Sequence, residues 1–317
     1  MSLGLGLGPG DVARLACPDC RGALSFSAAS SGPGRGEAVA GALGAGALEC
    51  GGCGARWPVE DGVPRLYREA EVRGTDRLMR VIYDGLPWLH DPLTTALFPL
   101  LQRSREAEVR ERIIARLELG TLAAPAGRPL RILEVGVGAG ANLPLVYRGL
   151  AQGRAVGGVG AGEAMGAVEI WGLDLSRGML AECRALVSRH GYGEVRLLLG
   201  DAHSLPFGDG AFDRVFHVGG IGGYRDPGKA LAEMARVAVA GTPIVVVDEQ
   251  LDPGRRHGLV HRALFRALTF YDRDPHCPRE LLPSGSYDVL EEQVSRYYYC
   301  LRFRHGRSGA PRAREDR

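Results

Sequence analysis

Two pairs of cysteines near the start of the chain have the spacing of a metal site. Cys17 and Cys20 form one Cys-x-x-Cys pair, and Cys50 and Cys53 form a second. Each pair can offer two thiolates to one ion, and two pairs complete the tetrahedral ligand set of a structural zinc. A redox dithiol would not come in two pairs, and a disulfide framework would need an export signal that we do not find. We therefore predict a structural zinc held by these four cysteines.

A glycine-rich turn further along the chain could bind a ligand through its backbone. A hydrophobic run leads through Glu134 into glycines at alternate positions, Gly136, Gly138 and Gly140. Glycine allows a tight turn and lets a ligand lie against bare peptide at the start of a helix. The spacing G-x-G-x-G is not the G-x-G-x-x-G of dinucleotide sites. The turn alone therefore predicts a binding site without naming its ligand.

Two acidic residues follow the next hydrophobic runs. Asp174 ends the run 168–173, and a carboxylate at the tip of a second strand can accept both hydroxyls of a ribose. Asp174 could instead cap the following helix, although Ser176 is the better N-cap. Asp201 follows the run 195–199, where it could accept a hydrogen bond from an adenine amino group. Glu163 is nearer the offset of dinucleotide sites, but no strand precedes it and we reject it.

The hydrophobic pattern predicts an α/β fold that positions these residues. Short β-rich runs alternate with helical segments at 176–190 and 229–237, which indicates parallel strands with right-handed crossovers. The predicted strands are 130–135, 168–173, 195–199, 212–218 and 243–248. A helix at 259–268 and a terminal hairpin at 287–294 and 296–304 follow. We expect a zinc-ribbon-like module at 11–67, a helical cap or substrate region at 75–127, a main domain at 128–304 and a flexible tail at 305–317.

In this order, the motifs resemble the class I S-adenosylmethionine (SAM)-dependent methyltransferases, especially the ubiquinone/menaquinone C-methyltransferase-like (methyltransferase type 11) group. The resemblance lies in L-D-L-S-x-x-M-L from Leu173, in G-D-A-x-x-L-P-F from Gly200 and in the E-M-A-R-V segment from Glu233. It covers about residues 128–250 firmly and the hairpin loosely. The interval from Gly140 to Asp174 is longer than usual for the family, and the residues 151–168 account for it.

The resemblance implies a Rossmann-like sheet of seven strands whose last strand is antiparallel, with SAM as the cofactor. Its implied binding residues are Glu134, Gly136, Gly138 and Gly140 beside the methionine end, Asp174 and Leu175 at the ribose, and Asp201 and Ala202 near the adenine.

Two residues are candidates for catalysis. His217, at the end of the fourth strand, could be a general base, or it could only shape the pocket while neighbouring backbone contacts SAM. Tyr83-Asp84 resembles a Tyr-Asp pair that lies over the cofactor in the quinone methyltransferases. Packing is the alternative role for Tyr83.

The cysteine unit resembles the small zinc-ribbon proteins that activate tRNA and protein methyltransferases. The likeness lies in the segment from Cys17 to Leu24 and in W-P-V-E-D-G-V-P from Trp57, after which those proteins have their partner-binding strand. We interpret the unit as a fused module that stabilises the catalytic domain or shapes its substrate site. We expect loss of a ligand cysteine to unfold residues 11–67 and leave 128–250 folded.

Composition narrows the function. The net charge of +2 predicts neither a nucleic-acid nor an acidic-membrane partner, and no apolar run approaches the ~20 residues that span a bilayer. We expect a cytoplasmic enzyme that methylates oxygen, carbon or nitrogen of a small, apolar or aromatic acceptor. The alternatives are an rRNA or tRNA methyltransferase with a zinc module and a catalytically silent adaptor. The acceptor and the oligomeric state stay open.

Overall fold

The structure is a computed structural model that describes residues 6–29, 43–85, 106–119, 122, 125, 127–157 and 168–306. Residues 307–317 of the expected tail and part of the expected helical region, 86–105, lie outside these ranges, as does the rejected Glu163. Among the described residues, no helix combines the length and the apolar character that crossing a bilayer requires.

The described residues form eleven strands and seven α-helices. The strands are β1 (Leu24–Ala28), β2 (Gly46–Cys50), β3 (Arg56–Glu60), β4 (Val63–Leu66), β5 (Leu130–Val135), β6 (Val168–Asp174), β7 (Val195–Gly200), β8 (Arg214–Val218), β9 (Ile244–Glu249), β10 (Tyr287–Gln293) and β11 (Tyr298–Arg304). The helices are α1 (Pro9–Val12), α2 (Gly74–Gly85), α3 (Glu106–Ala115), α4 (Leu143–Gly157), α5 (Arg177–His190), α6 (Pro227–Val237) and α7 (Leu259–Leu268).

Seven strands form the sheet expected from the sequence. Their order is β7-β6-β5-β8-β9-β11-β10, and β5 to β9 pair in parallel. Strand β11, the last in the chain, is antiparallel to both of its neighbours, β9 and β10. The interior of β5 is almost wholly buried, as expected for a parallel strand covered by helices on both faces. The predicted α/β fold with an antiparallel last strand is confirmed.

The cysteine-bearing unit continues this sheet instead of standing apart from it. Strand β4 pairs in parallel with the edge strand β7, with Arg65 opposite Leu199 and Leu66 opposite Gly200. Strands β3, β2 and β1 follow antiparallel, so that the sheet has eleven strands. An exposed edge strand offers unpaired backbone groups to other chains, and β4 covers this one.

One buried hydrophobic cluster contains residues of both the cysteine unit and the sheet domain. Trp57 and Leu66 of the cysteine unit belong to the same buried cluster as Trp171, Phe207 and Tyr299. Because the two regions bury apolar surface against each other, we no longer expect residues 11–67 to unfold alone. A destabilised cysteine unit should also weaken the sheet that it covers.

Ion pairs join the same two regions at the rim of the shared core. Arg14 donates to both oxygens of Glu169 on β6, at 2.7 and 2.5 Å. Arg21 donates to Glu233 on α6 at 3.0 Å. These contacts fix the position of the cysteine unit against two separate elements of the sheet domain.

Candidate functional site

A cavity of about 430 Å³ lies at the carboxyl ends of the central parallel strands. This is where open α/β sheets bind ligands, and the volume is within the ~300–1,000 Å³ usual for small-molecule sites. The predicted site residues in its wall are Tyr83, Gly136, Gly138, Asp174, Leu175, Asp201 and Ala202. The wall residues do not include Glu134, Gly140 or His217.

The glycine turn presents bare backbone to the cavity. Gly136 and Gly138 have φ of +70° and +54°, a left-handed conformation that side chains disfavour. A Cβ at Gly136 would lie 3.1 Å from Nδ1 of His217, and one at Gly138 would lie 3.3 Å from Cε of Met179. Gly140 serves packing, because a Cβ there would come within 2.9 Å of Sγ of Cys183.

Asp174 ends β6 and ties the glycine turn to the next helix. Its Oδ2 accepts a hydrogen bond from the Gly138 amide at 2.9 Å, and its Oδ1 accepts from the Ser176 amide at 2.8 Å. Burial raises the pKa of Asp174, although these amides oppose that effect. Each carboxylate oxygen keeps a second acceptor position for a ligand hydroxyl. Ser176 caps α5, as expected, by accepting from the Met179 amide at 3.1 Å.

Asp201 directly follows β7 and lies within a network of charged side chains that the sequence analysis did not identify. Its Oδ1 lies 2.6 Å from Nδ1 of His203, and its Oδ2 accepts from Arg225 at 2.6 Å. Arg225 also donates to Asp76 on α2. The Asp226 amide donates to Nε2 of His203 at 3.3 Å, so both ring nitrogens of His203 have partners.

This network lowers the pKa of Asp201. Burial alone would raise the pKa of Asp201, but hydrogen bonds from His203 and Arg225 lower it to about 2. Asp201 is therefore a carboxylate with two donors on Oδ1 and one on Oδ2, which leaves one acceptor position for a ligand.

Glu134 lies behind the glycine turn, fully buried. Asn142 donates to its Oε1 at 2.6 Å, and Arg110 of α3 donates to Asn142 at 2.7 Å. Its Oε2 is buried without a hydrogen-bond partner in the described part of the chain. Burial raises the pKa of Glu134 to about 8 against the lowering effect of Asn142. A buried carboxyl with one unsatisfied oxygen is suited to a polar or cationic ligand group.

His217 is buried at the end of β8, under the glycine turn. Its Nδ1 donates to the Val135 carbonyl at 2.7 Å, and burial lowers its pKa. Its neighbours Val218 and Gly219 line the cavity, whereas the ring itself does not. Of the two roles considered for His217, this geometry favours shaping the pocket over removing a proton.

Tyr83 and Asp84, at the end of α2, lie against the start of α5. Tyr83 lines the cavity, and burial raises its pKa. Asp84 accepts from the Ser176 hydroxyl at 2.7 Å and from the Gly178 amide at 3.0 Å. Asp84 thus fixes α2 against the start of α5, which holds Tyr83 at the cavity wall.

A carboxyl group at the opposite end of the cavity was missed by the sequence analysis. Glu249 ends β9 and lines the cavity, and Tyr271 donates to its Oε2 at 2.9 Å. Burial and the neighbouring Asp248 raise the pKa of Glu249 well above its usual value, although Tyr271 opposes this. Phe270 and Tyr298 complete an aromatic wall around it. The strand-end rule that identified Asp174 and Asp201 would also have found Glu249.

Asp248 organises the loop between these two ends. Its Oδ1 accepts from the Gly220 amide and its Oδ2 from the Gly222 amide, both at 2.7 Å. Gly219, Gly220 and Gly223 line the cavity. The loop after β8 therefore presents backbone at the middle of the cavity, held by a buried carboxylate from β9.

The four cysteine sulfurs converge. All four Sγ atoms lie within 4.8 Å of one another, with Cys17 and Cys53 at 3.7 Å and Cys20 and Cys50 at 3.4 Å. Zinc–sulfur bonds of ~2.3 Å in a tetrahedron require sulfur–sulfur distances of about 3.8 Å. The sulfurs are thus placed to bind one tetrahedral ion.

Backbone amides support the thiolate form of two of these cysteines. The Gly22 amide donates to Sγ of Cys20, and the Gly52 amide donates to Sγ of Cys50, each at 3.4 Å. A Cβ at Gly22 would lie 3.0 Å from Sγ of Cys50, so only glycine leaves room for the sulfurs here. Hydrogen bonds to a charged sulfur favour the deprotonated form that a metal needs.

The first cysteine pair contacts the segment that follows Asp201. The Ser204 hydroxyl donates to the Pro18 carbonyl at 2.8 Å, and the Ala16 amide donates to the Pro206 carbonyl at 2.9 Å. Pro18 lies between Cys17 and Cys20. Two hydrogen bonds therefore connect the cysteine cluster to the segment that follows Asp201 at the cavity wall.

Known proteins with similar sequences are methyltransferases. Residues 133–246 match a family model described as a methyltransferase domain. A demethylmenaquinone methyltransferase of Thermus thermophilus is 37% identical over 143 residues, which is 45% of this chain and 58% of that protein. A phosphatidylethanolamine N-methyltransferase of Cereibacter sphaeroides is 34% identical over 119 residues, 37% of this chain and 50% of that protein. The chain thus spans a little over half the length of these relatives.

A solved structure has a similar fold. Phosphoethanolamine N-methyltransferase 2 of Haemonchus contortus, in complex with S-adenosyl-L-methionine, aligns with a TM-score of 0.52 and 15% identity, over 79% of this chain and 62% of that one. The Rossmann-like fold expected from the sequence is confirmed, and residues 133–246 match a methyltransferase domain as expected.

Proposed function

We propose, from the methyltransferase domain in residues 133–246, that the chain transfers a methyl group from SAM to a small apolar or aromatic acceptor. The observation that carries the proposal is the cavity at the strand ends. It joins the glycine turn and Asp174 at one end to Glu249 and an aromatic wall at the other. One cavity can thereby hold a nucleoside cofactor and an acceptor side by side.

Three features of the cofactor end fit SAM. Gly136 and Gly138 leave room that a Cβ would fill, Asp174 has acceptor positions for ribose hydroxyls, and Oε2 of Glu134 lacks a partner among the described residues. SAM supplies an electrophilic methyl group on a sulfonium. The residues of the chain bind and orient the two molecules, which is most of what an in-line transfer needs.

At the acceptor end, Glu249 is suited to accept a proton. A carboxylate whose pKa is raised is a better base for a hydroxyl or an acidic carbon than an ordinary one. Tyr271 holds the carboxyl by its hydrogen bond, and Phe270 and Tyr298 offer apolar surface to an aromatic ring. In this proposal, His217 shapes the glycine turn and Tyr83 covers the reacting groups.

The quinone relatives suggest the first acceptors to try. Purified chain would be incubated with isotope-labelled SAM and with a demethylnaphthoquinol, a simple phenol, a primary amine or RNA. We expect label in a hydroxylated aromatic acceptor, at a rate that the exposed variant Glu182→Gln leaves unchanged. Label in RNA alone would overturn the small-molecule assignment. Calorimetry that detects neither SAM nor S-adenosylhomocysteine binding would favour a silent adaptor.

For the cysteine cluster we propose a structural zinc, because four thiolates leave no open position for a substrate. The full chain with Cys20→Ser should contain less than one zinc per molecule and melt at a lower temperature. Cys277→Ser, outside the cluster, should keep its zinc. Equal metal content in both variants and the wild type would contradict the ligand assignment.

A further inference from the structure

Helix α7 exposes apolar side chains to solvent. Leu259 is 86% exposed and Val260 is 72% exposed, and Phe270, just after the helix, is 57% exposed. Ala263 and Ala267 are also exposed on the same helix, whereas Phe265 is buried. At 100° per residue, Leu259, Val260, Ala263 and Ala267 fall on one side of the helix. The helix therefore turns an apolar stripe outwards.

Basic residues flank this stripe. Between residues 252 and 273 the chain has five arginines, two histidines and two aspartates. Arg262 and Arg266 lie beside the stripe on α7, and Arg255 and Arg256 precede it, all of them exposed. Among the described residues, no ion pair joins a carboxylate to Arg256 or Arg262. Thus this segment is locally cationic although the whole chain is near neutral.

The stripe borders the acceptor end of the cavity. Ala267, Leu268, Phe270 and Tyr271 all belong to the cavity wall, and Ala267 and Phe270 are also exposed. A molecule that lies against α7 from outside therefore has a short route to Glu249. Single exposed apolar residues need no explanation, but an apolar stripe flanked by arginines at the mouth of a cavity does.

We propose that α7 docks on the surface of an anionic lipid bilayer, with Leu259 and Val260 inserted among the lipids. An outward apolar face with arginines along its edge is the pattern of helices that lie in the interface plane, where the arginines meet lipid phosphates. An RNA partner would not use the exposed leucine and valine. The docking places the mouth of the cavity against the bilayer, so the acceptor class is a lipophilic molecule drawn from it.

Co-sedimentation of the full chain with lipid vesicles tests the docking without any methyl transfer. We expect binding to vesicles of phosphatidylcholine mixed with phosphatidylglycerol, weakened by salt, and little binding to phosphatidylcholine alone. The double variant Leu259→Ser/Val260→Ser should bind at least about tenfold more weakly, because the inserted apolar area is lost. Leu281→Ser, a change at an exposed leucine away from α7, should bind like the wild type.

Two double charge-reversal variants distinguish docking through α7 from an attraction that depends only on net charge. Arg256→Glu/Arg262→Glu should abolish binding, whereas Arg112→Glu/Arg189→Glu, which changes the net charge equally at exposed sites elsewhere, should retain most of it. All variants should keep their affinity for S-adenosylhomocysteine. Equal loss in both double variants, or equal binding to both kinds of vesicle, would overturn the proposal. The wild type could instead fail to bind vesicles and form a dimer that Leu259→Ser/Val260→Ser dissociates. That result would overturn the proposal and assign the face to a second copy of the chain.

Discussion

The two ends of the cavity are built differently. At the proposed cofactor end, Asp174 and the glycine turn are joined by contacts between backbone and side chain at adjacent strand tips. At the proposed acceptor end, Glu249 and Tyr271 come from a strand and from the irregular segment after α7. The first end is built from recognisable sequence motifs, and the second depends on a segment without a regular sequence pattern. This difference suggests that the first end serves a fixed ligand and the second a ligand specific to this chain.

The largest expected effect comes from removing the proton acceptor. Glu249→Gln keeps an oxygen that can accept the Tyr271 hydrogen bond but cannot take up a proton at neutral pH. We expect kcat to fall about 100-fold or more, the usual range for loss of a general base, while the Kd for S-adenosylhomocysteine changes less than twofold. Steady-state kinetics and calorimetry measure the two quantities. An unchanged kcat would mean that Glu249 at the acceptor end is not the proton acceptor.

Removing Asp174, the proposed ribose-binding residue, should have the opposite pattern, with its main effect on cofactor affinity. Asp174→Ala removes charge-assisted hydrogen bonds to ligand and turn, worth about 2 kcal/mol, so SAM binding should weaken roughly thirtyfold. Titration calorimetry gives the affinity. Asp209→Ala, which changes a carboxylate whose side chain is 77% exposed, is the control and should bind SAM normally. Unchanged affinity in Asp174→Ala would refute the ribose assignment.

The pH dependence of the rate should report the ionisation of Glu249 at the acceptor end alone. Burial and Asp248 raise the pKa of Glu249, and the proposed reaction needs its deprotonated form. The rate should therefore increase about tenfold per pH unit below that pKa and level off above it. Glu249→Gln should lack this increase. An identical profile in the variant would assign the titration to another group, such as the acceptor itself.

The smallest effect is expected at His217. His217→Asn can still donate a hydrogen bond to the Val135 carbonyl, so kcat should fall less than about threefold and stability by about 1 kcal/mol. Thermal melting and kinetics measure both. A loss of about 100-fold would make His217 the base after all and would move the catalytic group to the cofactor side of the cavity.

The sequence predicted the central sheet well because strand and helix periods alternate clearly there. The run 130–135 became β5 with the same bounds, and the tips of β6 and β7 carry Asp174 and Asp201 as expected. Glycines and acids at these tips are local signals. Their backbone partners are at most a few residues away or on the adjacent strand.

The parts that the sequence did not predict depend on contacts between distant residues. Asp76 and Asp201 meet through Arg225, although Asp76 is 149 residues away from Arg225. The pairing of β4 with β7 was missed for the same reason, since a four-residue strand carries no mark of its partner. Glu249 at the end of the predicted strand could have been found by the strand-end rule, but its contact with Tyr271 could not, because Tyr271 comes from a segment without a regular pattern.

Because β4 and β7 belong to one chain, their pairing does not depend on the protein concentration. Two strands on separate proteins associate only above their dissociation constant, and dilution separates them. Here a covalent connection keeps β4 near β7 at an effective concentration that does not depend on how much protein a cell contains. Every sheet domain is therefore made with one cysteine-bearing unit, and the specific activity of the proposed enzyme should stay constant on dilution.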